Sequence, residues 1–500
     1  MKAKFCWLAL AGVMLAGCGG NNATTSVIIG SSVTPDPTST DASRPDSADS
    51  SNPTSGGAPL TSSNLVPVWS NPFAGIATEE VDLLVWAGET QESIDFVKNA
   101  AAEFKKANPA SNYNITTAGV SESSVSGDWA KDKDTAADVA ICADDQIPTM
   151  ISSNYIQDLD QLSKKVIAGL VENVKSRNSK QSIEAVTGPD GKIYGFPVSG
   201  TNGFILYYNT NILKASDLGS FDSMLAAIKA ASERDGKNYR FGFPSTSGWY
   251  LDGWFHGAGF NATGEPGEIK VDCNWNASVE GVNGKDVAGS LVKLAQGQYK
   301  SYWTSAAQNL IMTQVNEGPS QIVATINGTW NYKRLEKAWN GNVGASILPT
   351  FHLDEANKDV RMQSPRGFKV AVVNKARAKT VVAAAKFAEY LTNFASQIHR
   401  FDMVSEGPTN TESSKAVDPS TNPCIDALLK QYEAGAFVEK VNDSFWNPTN
   451  GLADQLLNGS TKTNETNLVK SGVGTAGIVL DYDAIQGALD ACVRNLNPQD

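Results

Sequence analysis

Few residues in this chain are of types and spacings that could perform catalysis. Its three histidines, His256, His352 and His399, are far apart in sequence, and none belongs to an H-E-x-x-H motif. The sequence also lacks a G-x-S-x-G motif, a G-x-x-x-x-G-K-[ST] phosphate loop and a dinucleotide-binding glycine motif. Acidic residues are plentiful, so composition leaves a glycoside-hydrolysing carboxylate pair open, but no particular pair stands out. We therefore expect no enzyme, no metal site and no cofactor.

Tryptophan is a more informative residue type here. Several tryptophans lie at strand ends or beside Gly, Asn and Asp, namely Trp86, Trp249, Trp254, Trp330 and Trp446. A single tryptophan most often packs in a core. In an α/β sheet, however, the loops at the carboxyl ends of strands line the crevice where ligands bind. A flat indole there can cover the C–H face of a sugar ring, while neighbouring Asp, Glu and Asn bind its hydroxyls.

The bulk properties of the chain limit the classes of partner. Its 500 residues are enough for two or three folding units, and its 41% hydrophobic and 19% charged contents are ordinary for a globular protein. The net charge is −12. An acidic chain gains no counterion-release energy from a phosphate backbone, so we expect no nucleic-acid partner.

The N-terminus has the features of an export signal. Lys2 and Lys4 precede an apolar run that is too short to span a bilayer, and the run ends in small residues and Cys18. This ending resembles the lipobox of bacterial lipoproteins, in which the cysteine is lipidated. We predict a signal peptide at 1–17, followed by the lipidated Cys18 and a disordered Ser/Thr/Pro/Gly-rich tether over 18–78.

The elements that must position the tryptophans begin directly after the tether. The sequence predicts strands at 81–88, 113–120 and 137–143. A helix is predicted within 91–109, with Pro109 as its stop, and a helix-like segment over 147–156. Two further strands are predicted on either side of a loop at 199–203, and one long amphipathic helix over 379–401. Strand and helix alternating in this rhythm is typical of parallel βαβ units, and hence of an α/β fold.

Two smaller features have alternative readings. Adjacent tyrosines, Tyr207 and Tyr208, can bind ferric iron in some exported proteins, but a strand would point them to opposite faces, which suits packing. Four cysteines remain after the lipobox, and they could form disulfides or stay as buried thiols: Cys142, Cys273, Cys424 and Cys492.

Six segments in order resemble the extracellular solute-binding proteins of ABC importers, in the family-1 group that includes the maltodextrin-binding protein. The resemblance covers about residues 80–500. The segments are "LLVWAGE", "ADVAICADDQIPTMISSNYIQDLDQ", "GKIYGFPVSGTNGFILYYNTNIL", "VATINGTWNYKRL", "VGASILPTF" with "SPRGFKVAVVNKA", and "AAKFAEYLTNFASQ".

The resemblance implies a two-lobe periplasmic-binding-protein-like fold of type II. Each lobe would be a mostly parallel sheet flanked by helices, with the ligand in a cleft at the hinge. We expect lobe 1 to comprise 79–198 and 352–403, and lobe 2 to comprise 204–346 and 411–500. Ligand binding would then shift the population from an open to a closed form.

The resemblance also implies ligand-binding positions. Trp330 and Trp446 fall on stacking tryptophans of the family, Glu89 and Asp145 on acidic positions, and Asn202 and Trp249 near polar and aromatic contacts. Phe368 falls in a loop that often contacts ligand. This sequence departs from the maltodextrin binder at four positions: Cys142 replaces a tryptophan, Gln146 and Asn450 replace arginines, and Asn202 replaces an acid.

These features together predict the sugar-binding lipoprotein of an ABC importer. We expect a monomer, anchored by lipid on the extracytoplasmic face of a bacterial membrane, that delivers a sugar or oligosaccharide to permease subunits. Three alternatives stay open: a binding protein for another solute such as a polyamine, a surface glycoside hydrolase, and a receptor that presents glycans without an importer. The sequence does not specify the sugar, its linkage or its length.

Overall fold

The computed structural model describes residues 72–73, 76, 80–264, 271–315, 321–439, 441, 443–458, 468–470 and 478–496. All of them belong to the compact unit Thr61–Asp500. The predicted signal peptide and Cys18 lie outside the described residues, as does the tether apart from residues 72, 73 and 76. Within the described part of the chain, no helix is both long enough and apolar enough to cross a membrane.

The elements alternate between strand and helix along most of the chain. The first third contains β1 (Glu80–Ala87), α1 (Gln91–Ala107), β2 (Asn112–Gly119), α2 (Val125–Lys131), β3 (Val139–Ala143), α3 (Ile147–Ser152), α4 (Leu159–Lys165), α5 (Leu170–Arg177), α6 (Lys180–Ala185) and β4 (Phe196–Asn202). The middle contains β5 (Phe204–Asn209), α7 (Phe221–Asp235), β6 (Tyr239–Pro244), α8 (Gly248–Gly257), β7 (Ala262–Gly264), β8 (Val271–Cys273), β9 (Ser278–Val279), β10 (Val282–Asn283), α9 (Gly284–Gln296), β11 (Trp303–Ala306), α10 (Gln308–Gln314), β12 (Gln321–Gly328), α11 (Tyr332–Ala338) and β13 (Val343–Ser346). The last third contains β14 (Thr350–Leu353), β15 (Lys358–Arg361), β16 (Ser364–Pro365), β17 (Gly367–Val373), α12 (Val381–Leu391), α13 (Phe394–Val404), α14 (Thr411–Ala416), α15 (Pro423–Ala434), β18 (Ala436–Phe437), α16 (Trp446–Asn458), β19 (Val469–Lys470), β20 (Val479–Leu480) and α17 (Tyr482–Leu496).

Two five-stranded sheets define two lobes. The first sheet has the order β2-β1-β3-β17-β4, and the second has the order β11-β6-β12-β5-β13. Strands β1, β2 and β3 are parallel, as are β6, β11 and β12. Strands β17 and β5 run antiparallel to their neighbours, because each enters its sheet from the other lobe and so starts at the edge where the parallel strands end. The two-lobe α/β fold is confirmed, with mixed sheets.

Each lobe has its own apolar core. In the first lobe α1 packs against β1 and β2 through Phe96, Val97 and Phe104, all of which are buried. The second core is rich in aromatic rings: Trp254 stacks on Phe351 at 3.9 Å between ring centroids. Trp254 is therefore a core residue, as a single tryptophan usually is.

The two tyrosines of β5 point to opposite faces of the second sheet, as predicted. Tyr208 packs in the core around Trp254, whereas Tyr207 packs in a separate cluster on the other face with Cys424. The four cysteines left open by the sequence, Cys142, Cys273, Cys424 and Cys492, are all buried free thiols.

Several elements differ from the sequence-based expectation. The predicted long helix is two helices, α12 and α13, because Asn393 accepts a hydrogen bond from the Ser396 N–H (2.9 Å) and so begins a new helix. The predicted loop at 199–203 is mostly strand, since β4 continues to Asn202 and Gly203 alone separates it from β5.

Two segments pack in a different lobe from the one that the sequence-based boundaries predict. Phe351, Leu353 and Met362 belong to the second core, so the chain returns to the first lobe near residue 366 and not at 352. Helix α14 stays with the first lobe, where the Ser413 hydroxyl donates to the Phe394 carbonyl at 3.0 Å. The first segment follows the apolar surface that it can bury, and α14 is held by a hydrogen bond to the end of the first lobe's helices. Neither contact can be read from the positions of the motifs.

Asp138, at the start of β3, links three elements of the first lobe. Its carboxylate is fully buried and accepts hydrogen bonds from the Leu84 N–H (2.8 Å), the Arg377 guanidinium (3.0 and 3.2 Å) and the Thr380 hydroxyl. Breaking a buried ion pair by removing one partner leaves the other charge without compensation.

We predict that Asp138→Ala lowers the free energy of unfolding by about 2–4 kcal/mol, because the Leu84 N–H, the Thr380 hydroxyl and the partly exposed Arg377 lose their buried acceptor. Asp82→Ala, at an exposed position on β1, is the control and should change stability by less than about 0.5 kcal/mol. Urea unfolding of the three proteins measures both values. Equal stability of the two variants would show that the Asp138 network contributes nothing.

Candidate functional site

A cavity of about 370 Å³ lies between the two sheets, and both lobes contribute to its wall. This volume lies within the range of about 300–1,000 Å³ that is usual for small-molecule sites. The wall consists of Gly88, Glu89, Thr90, Ser93, Ser121, Glu122, Ser123, Ala143, Asp145, Asn202, Thr246, Ser247, Trp249, Tyr250, Gln308, Trp330, Glu439, Trp446 and Asn450.

The position of the cavity follows from the direction of the strands. Glu89 follows β1, Glu122 follows β2 and Asp145 follows β3 in the first lobe, while Trp249 follows β6 and Trp330 follows β12 in the second. The carboxyl ends of parallel strands share one edge of a sheet, and ligands of open α/β sheets bind outside that edge. Here the two edges face each other across the cavity.

Trp330 is held in a short 3-10 turn directly after β12. The turn is fixed at its base by Asn327, whose side-chain oxygen accepts hydrogen bonds from Gln308 (2.7 Å), Asn331 (2.8 Å) and the Gly328 N–H (3.0 Å). The indole folds back over Gly328, where a Cβ atom would lie 2.2 Å from the nearest ring carbon. Trp330 is partly exposed and lines the cavity, so it is a wall residue and not core filling.

Two further indoles are held by carboxylates through their N–H groups. The Trp249 N–H donates to Glu439 at 2.7 Å, and the Trp446 N–H donates to Asp145 at 2.8 Å. The second of these bonds crosses the cavity, since Asp145 follows β3 of the first lobe and Trp446 begins α16 of the second. Trp249 also contacts Trp330, with 5.6 Å between the ring centroids. The three indoles therefore have fixed orientations around one space.

Three carboxyl groups lie close enough to influence each other's ionisation. Burial raises the pKa of Glu439 well above its usual range, and the neighbouring Asp145 and Asp144 raise it further. Burial also raises the pKa of Asp144 to about 7, although the Phe368 N–H stabilises its charged form. Burial therefore disfavours the charged form of Glu439, and Asp144 is close to half protonated near neutral pH.

A buried ion cluster lies behind the cavity wall. Lys369 of β17 contacts the carboxylates of Glu122 and Glu406, the second at 2.5 Å, and Arg400 of α13 contacts Glu406 at 2.7 Å. Arg400 and Lys369 hold the pKa of Glu406 at about 2 against the opposing effect of burial. The pKa of Glu122 is raised, because the effect of burial exceeds the stabilisation by Lys369.

Comparison with known proteins places this arrangement in a family. A family profile described as "Bacterial extracellular solute-binding protein" matches residues 99–427, which is more than half of the chain. The chain belongs to this family. The resemblance stated from the sequence is thereby confirmed.

Three individual proteins are similar to this solute-binding protein. The maltodextrin-binding protein MdxE of Bacillus subtilis (strain 168) is 26% identical over 343 residues, which cover 66% of this chain and 74% of MdxE. The solved maltodextrin-binding protein MalE1 of L. casei BL23, without ligand, is 22% identical with a TM-score of 0.61, covering 83% of this chain and 99% of MalE1. The solved GacH receptor of Streptomyces glaucescens GLA.O is 16% identical with a TM-score of 0.64, covering 85% and 99%. The two structural likenesses concern the fold.

Six of the seven ligand-binding residues predicted for this solute-binding protein line the cavity: Glu89, Asp145, Asn202, Trp249, Trp330 and Trp446. Phe368 does not line it, and its ring lies near Gly200 on the neighbouring strand β4. The residue after it, Lys369, reaches the cavity wall through Glu122. The segment that was predicted to place Phe368 at the ligand therefore contributes its neighbour Lys369, whose ammonium group contacts Glu122 of the cavity wall.

Sequence reasoning missed several wall and supporting residues, above all Glu122, Glu439 and Lys369. Glu122 lies in "SESS", and Glu439 follows a short strand, so both resembled solvated loop residues. Lys369 is 1% exposed within the apolar strand β17, and a lysine is almost never fully buried unless it is paired. That apolar context was the one available signal for a buried ionic partner.

The positions that depart from the maltodextrin binder have structural roles here. Gln146 is buried and accepts hydrogen bonds from the N–H (3.3 Å) and the hydroxyl (2.8 Å) of Ser126, so it fixes the loop that carries Asp145. Asn450 accepts a hydrogen bond from the Gly248 N–H at 2.6 Å and so fixes the start of α8, which carries Trp249. Both replacements position neighbours that line the cavity.

We predict that Gly328→Ala weakens ligand binding about as much as Trp330→Ala does, by roughly 2 kcal/mol or about 30-fold. The backbone at Gly328 (φ −73°, ψ 162°) accepts alanine, so the new Cβ displaces the indole and not the chain. Calorimetric titration with a ligand that binds the parent protein measures the loss. Gly451→Ala, in open space on α16, is the control and should leave affinity unchanged. Unchanged affinity in Gly328→Ala would place Trp330 outside the binding surface.

Because burial raises the pKa of Asp144, this residue should make the stability of the fold depend on pH. Between the ordinary carboxyl pKa of 3.8 and its value of about 7 here, the folded protein binds more protons than the unfolded chain. Stability therefore falls as the pH rises through this window. We predict that Asp144→Asn, which cannot ionise, becomes progressively more stable relative to the parent from pH 4 to pH 7, with no further gain above.

Thermal unfolding at one-unit pH steps from 4 to 8 measures this difference. Asp82→Asn, at an exposed position on β1, is the matched control for the exchange of a carboxylate for an amide. Parallel curves for Asp144→Asn and the parent would mean that Asp144 does not titrate abnormally.

Proposed function

We propose that this protein is the sugar-binding lipoprotein of an ABC importer, and that it holds a sugar or oligosaccharide in the interlobe cavity for delivery to the permease. One observation carries the proposal: three indoles, Trp249, Trp330 and Trp446, line one cavity, two of them oriented by hydrogen bonds to carboxylates. Fixed aromatic faces beside polar acceptors suit the alternating C–H and O–H surfaces of a sugar ring.

The charge of the wall favours an uncharged ligand over an anionic one. Among the described residues that line the cavity there is neither a lysine nor an arginine, whereas carboxylate and phosphate ligands require fixed positive charge. The polar groups that are present, such as Asn202, Gln308 and Ser121, can donate to and accept from hydroxyls. The names of the similar proteins point the same way, since two are maltodextrin binders and the GacH receptor was solved in complex with acarbose.

The mechanism that we propose is closure of the two lobes around the ligand. The bond between Trp446 and Asp145 joins the lobes, so it belongs to the closed arrangement and forms on closure. A ligand that contacts both walls binds the closed state more tightly and shifts the population toward it. The closed monomer would then dock on the permease subunits.

Anchoring is part of the same proposal. Lipidation of Cys18 would hold the protein on the extracytoplasmic face of a bacterial membrane. The tether of about 60 residues would have a mean reach of roughly 40 Å. That reach lets the lobes approach the permease without leaving the membrane surface.

A cationic solute such as a polyamine is the second candidate, because one specific observation favours it. Four carboxyl groups line the cavity, on Glu89, Glu122, Asp145 and Glu439. An ammonium group could lie against an indole by a cation–π contact and be neutralised by these carboxylates.

A thermal-shift screen followed by calorimetry distinguishes the two candidates. We expect maltose, maltotriose and longer maltodextrins to raise the melting temperature and to bind with micromolar dissociation constants, equivalent to about 8 kcal/mol. Putrescine, spermidine, amino acids and ferric iron should cause no shift. A shift with a polyamine alone would replace the sugar by a cationic ligand.

The same sugars test the hydrolase alternative. Asp145 and Glu439 are two carboxyls with unequal environments, which is also what a glycosidase needs. Because both accept hydrogen bonds from indole N–H groups, we expect them to orient tryptophans and not to attack a glycosidic bond. Overnight incubation with maltodextrins should therefore release no reducing ends. Product formation that Glu439→Gln abolishes would make the protein an enzyme.

A further inference from the structure

The ammonium group of Lys369 lies at the meeting point of both walls of the cavity. Its side chain is 1% exposed, although β17 is otherwise apolar. Two of its three N–H groups are used by the carboxylates of Glu122 and Glu406. The same nitrogen lies 5.2 Å from the centre of the Trp330 ring, within the range of a cation–π contact.

Glu122 presents one oxygen to Lys369 and the other toward the cavity wall. Oε2 contacts the Lys369 ammonium, whereas Oε1 is buried, has no hydrogen-bond donor, and has Arg400 as an ion-pair neighbour at 3.5 Å. Gly88 faces this oxygen, and a Cβ atom there would lie 2.8 Å from it. A buried acceptor without a donor is costly, so its persistence at the wall of a binding cavity points to a donor that arrives with the ligand.

Trp330 and Glu122 belong to different lobes, yet they share this one cation. Glu122 follows β2 of the first sheet, and Trp330 follows β12 of the second. Glu406 holds the ammonium from behind, and Arg400 orients Glu406 by donating to it through Nε at 2.8 Å. The cation is thus fixed by groups outside the cavity and acts on two groups that line it.

We propose that Glu122 is a further ligand-binding residue, accepting a ligand hydroxyl at Oε1, and that Lys369 is the positioning residue that sets Glu122 and the Trp330 ring for the same ligand. This rests on the proposed function in one respect, that the ligand carries hydroxyl donors. Lys369 itself does not line the cavity and acts through its two neighbours.

A ligand-free measurement tests the positioning role directly. The fluorescence emission of Trp330 is obtained by subtracting the spectrum of Trp330→Phe from that of the parent. The same subtraction is made in the background of each variant. Lys369→Met should change this difference spectrum, and Lys369→Arg, which keeps a cation, should restore it. The matched control is Arg177→Met, which breaks another buried ion pair of the first lobe, with Glu389, and should leave the Trp330 emission unchanged.

Ligand binding supplies the second test, by a double-mutant cycle with whichever maltodextrin binds the parent. Glu122→Gln keeps the shape of the cavity and should weaken binding at least tenfold. Glu389→Gln is its matched control and should bind as the parent does. Because Lys369 acts partly through Glu122, the loss in the Lys369→Met/Glu122→Gln double variant should be at least about threefold smaller than the product of the single losses.

The possible failures are separable. An unchanged Trp330 emission in Lys369→Met, or the same change in Arg177→Met, overturns the positioning role whatever the ligand is. Parent-like affinity in Glu122→Gln, or losses that multiply in the double variant, overturns the binding role while the sugar proposal stands. If no sugar binds the parent, the proposed function fails, and the emission test still decides the role of Lys369. Should Lys369→Met not fold, Glu122→Gln carries the binding test alone.

Discussion

The close approach of three chain segments at the hinge is the constraint on which the binding site depends. Between β4 and β5, a Cβ atom at Gly203 would lie 2.9 Å from the Pro365 carbonyl and from the Ser364 hydroxyl. At the start of β17, a Cβ atom at Gly367 would lie 2.9 Å from the Asn202 carbonyl. The third segment, β18, pairs with β16 in parallel. Glycine at both positions allows these backbones to touch, and this contact holds two separately folded cores in register.

Several residues that line the cavity or support its wall are attached close to that hinge. Lys369 is two residues after Gly367, and Glu439 is two residues after β18. Trp330 is fixed to the same point, because the neighbouring Thr329 donates through its hydroxyl to the Thr201 carbonyl at 3.0 Å. If the lobes close as proposed, groups attached at the hinge would move least, and the bond between Asp145 and Trp446 would form between the lobes. A site built at the axis stays preorganised, and its outer contacts report closure.

The sequence predicted what depends on local pattern and failed where distant segments meet. Periodicity located β1, α1, β2 and β3 within two residues, and the order of motifs placed Trp330 and Trp446 in the cleft. Lys369 was not predicted as a residue of the site. Alternation along a strand distinguishes inward from outward residues only when one face of the sheet is solvated, and β17 is an interior strand. Its partners Glu122 and Glu406 come from remote parts of the chain, and no local rule brings them together.

The break between α12 and α13 could have been predicted, since Asn393 is a good helix cap, but the apolar stripe continued across it.

The ionisation of the wall bears on which ligand the cavity suits. Counted formally, Glu89, Glu122, Asp145 and Glu439 make the wall strongly anionic and suited to a cation. Burial changes that count, because it raises the pKa of Glu439 well above its usual range, and Lys369 offsets the charge of Glu122. Asp145 and Glu439 each already accept an indole N–H. A cation would require the charged form of Glu439, which burial disfavours. A hydroxyl group uses the same oxygens without changing their charge, so the electrostatics of the cavity favour a neutral, polyhydroxylated ligand.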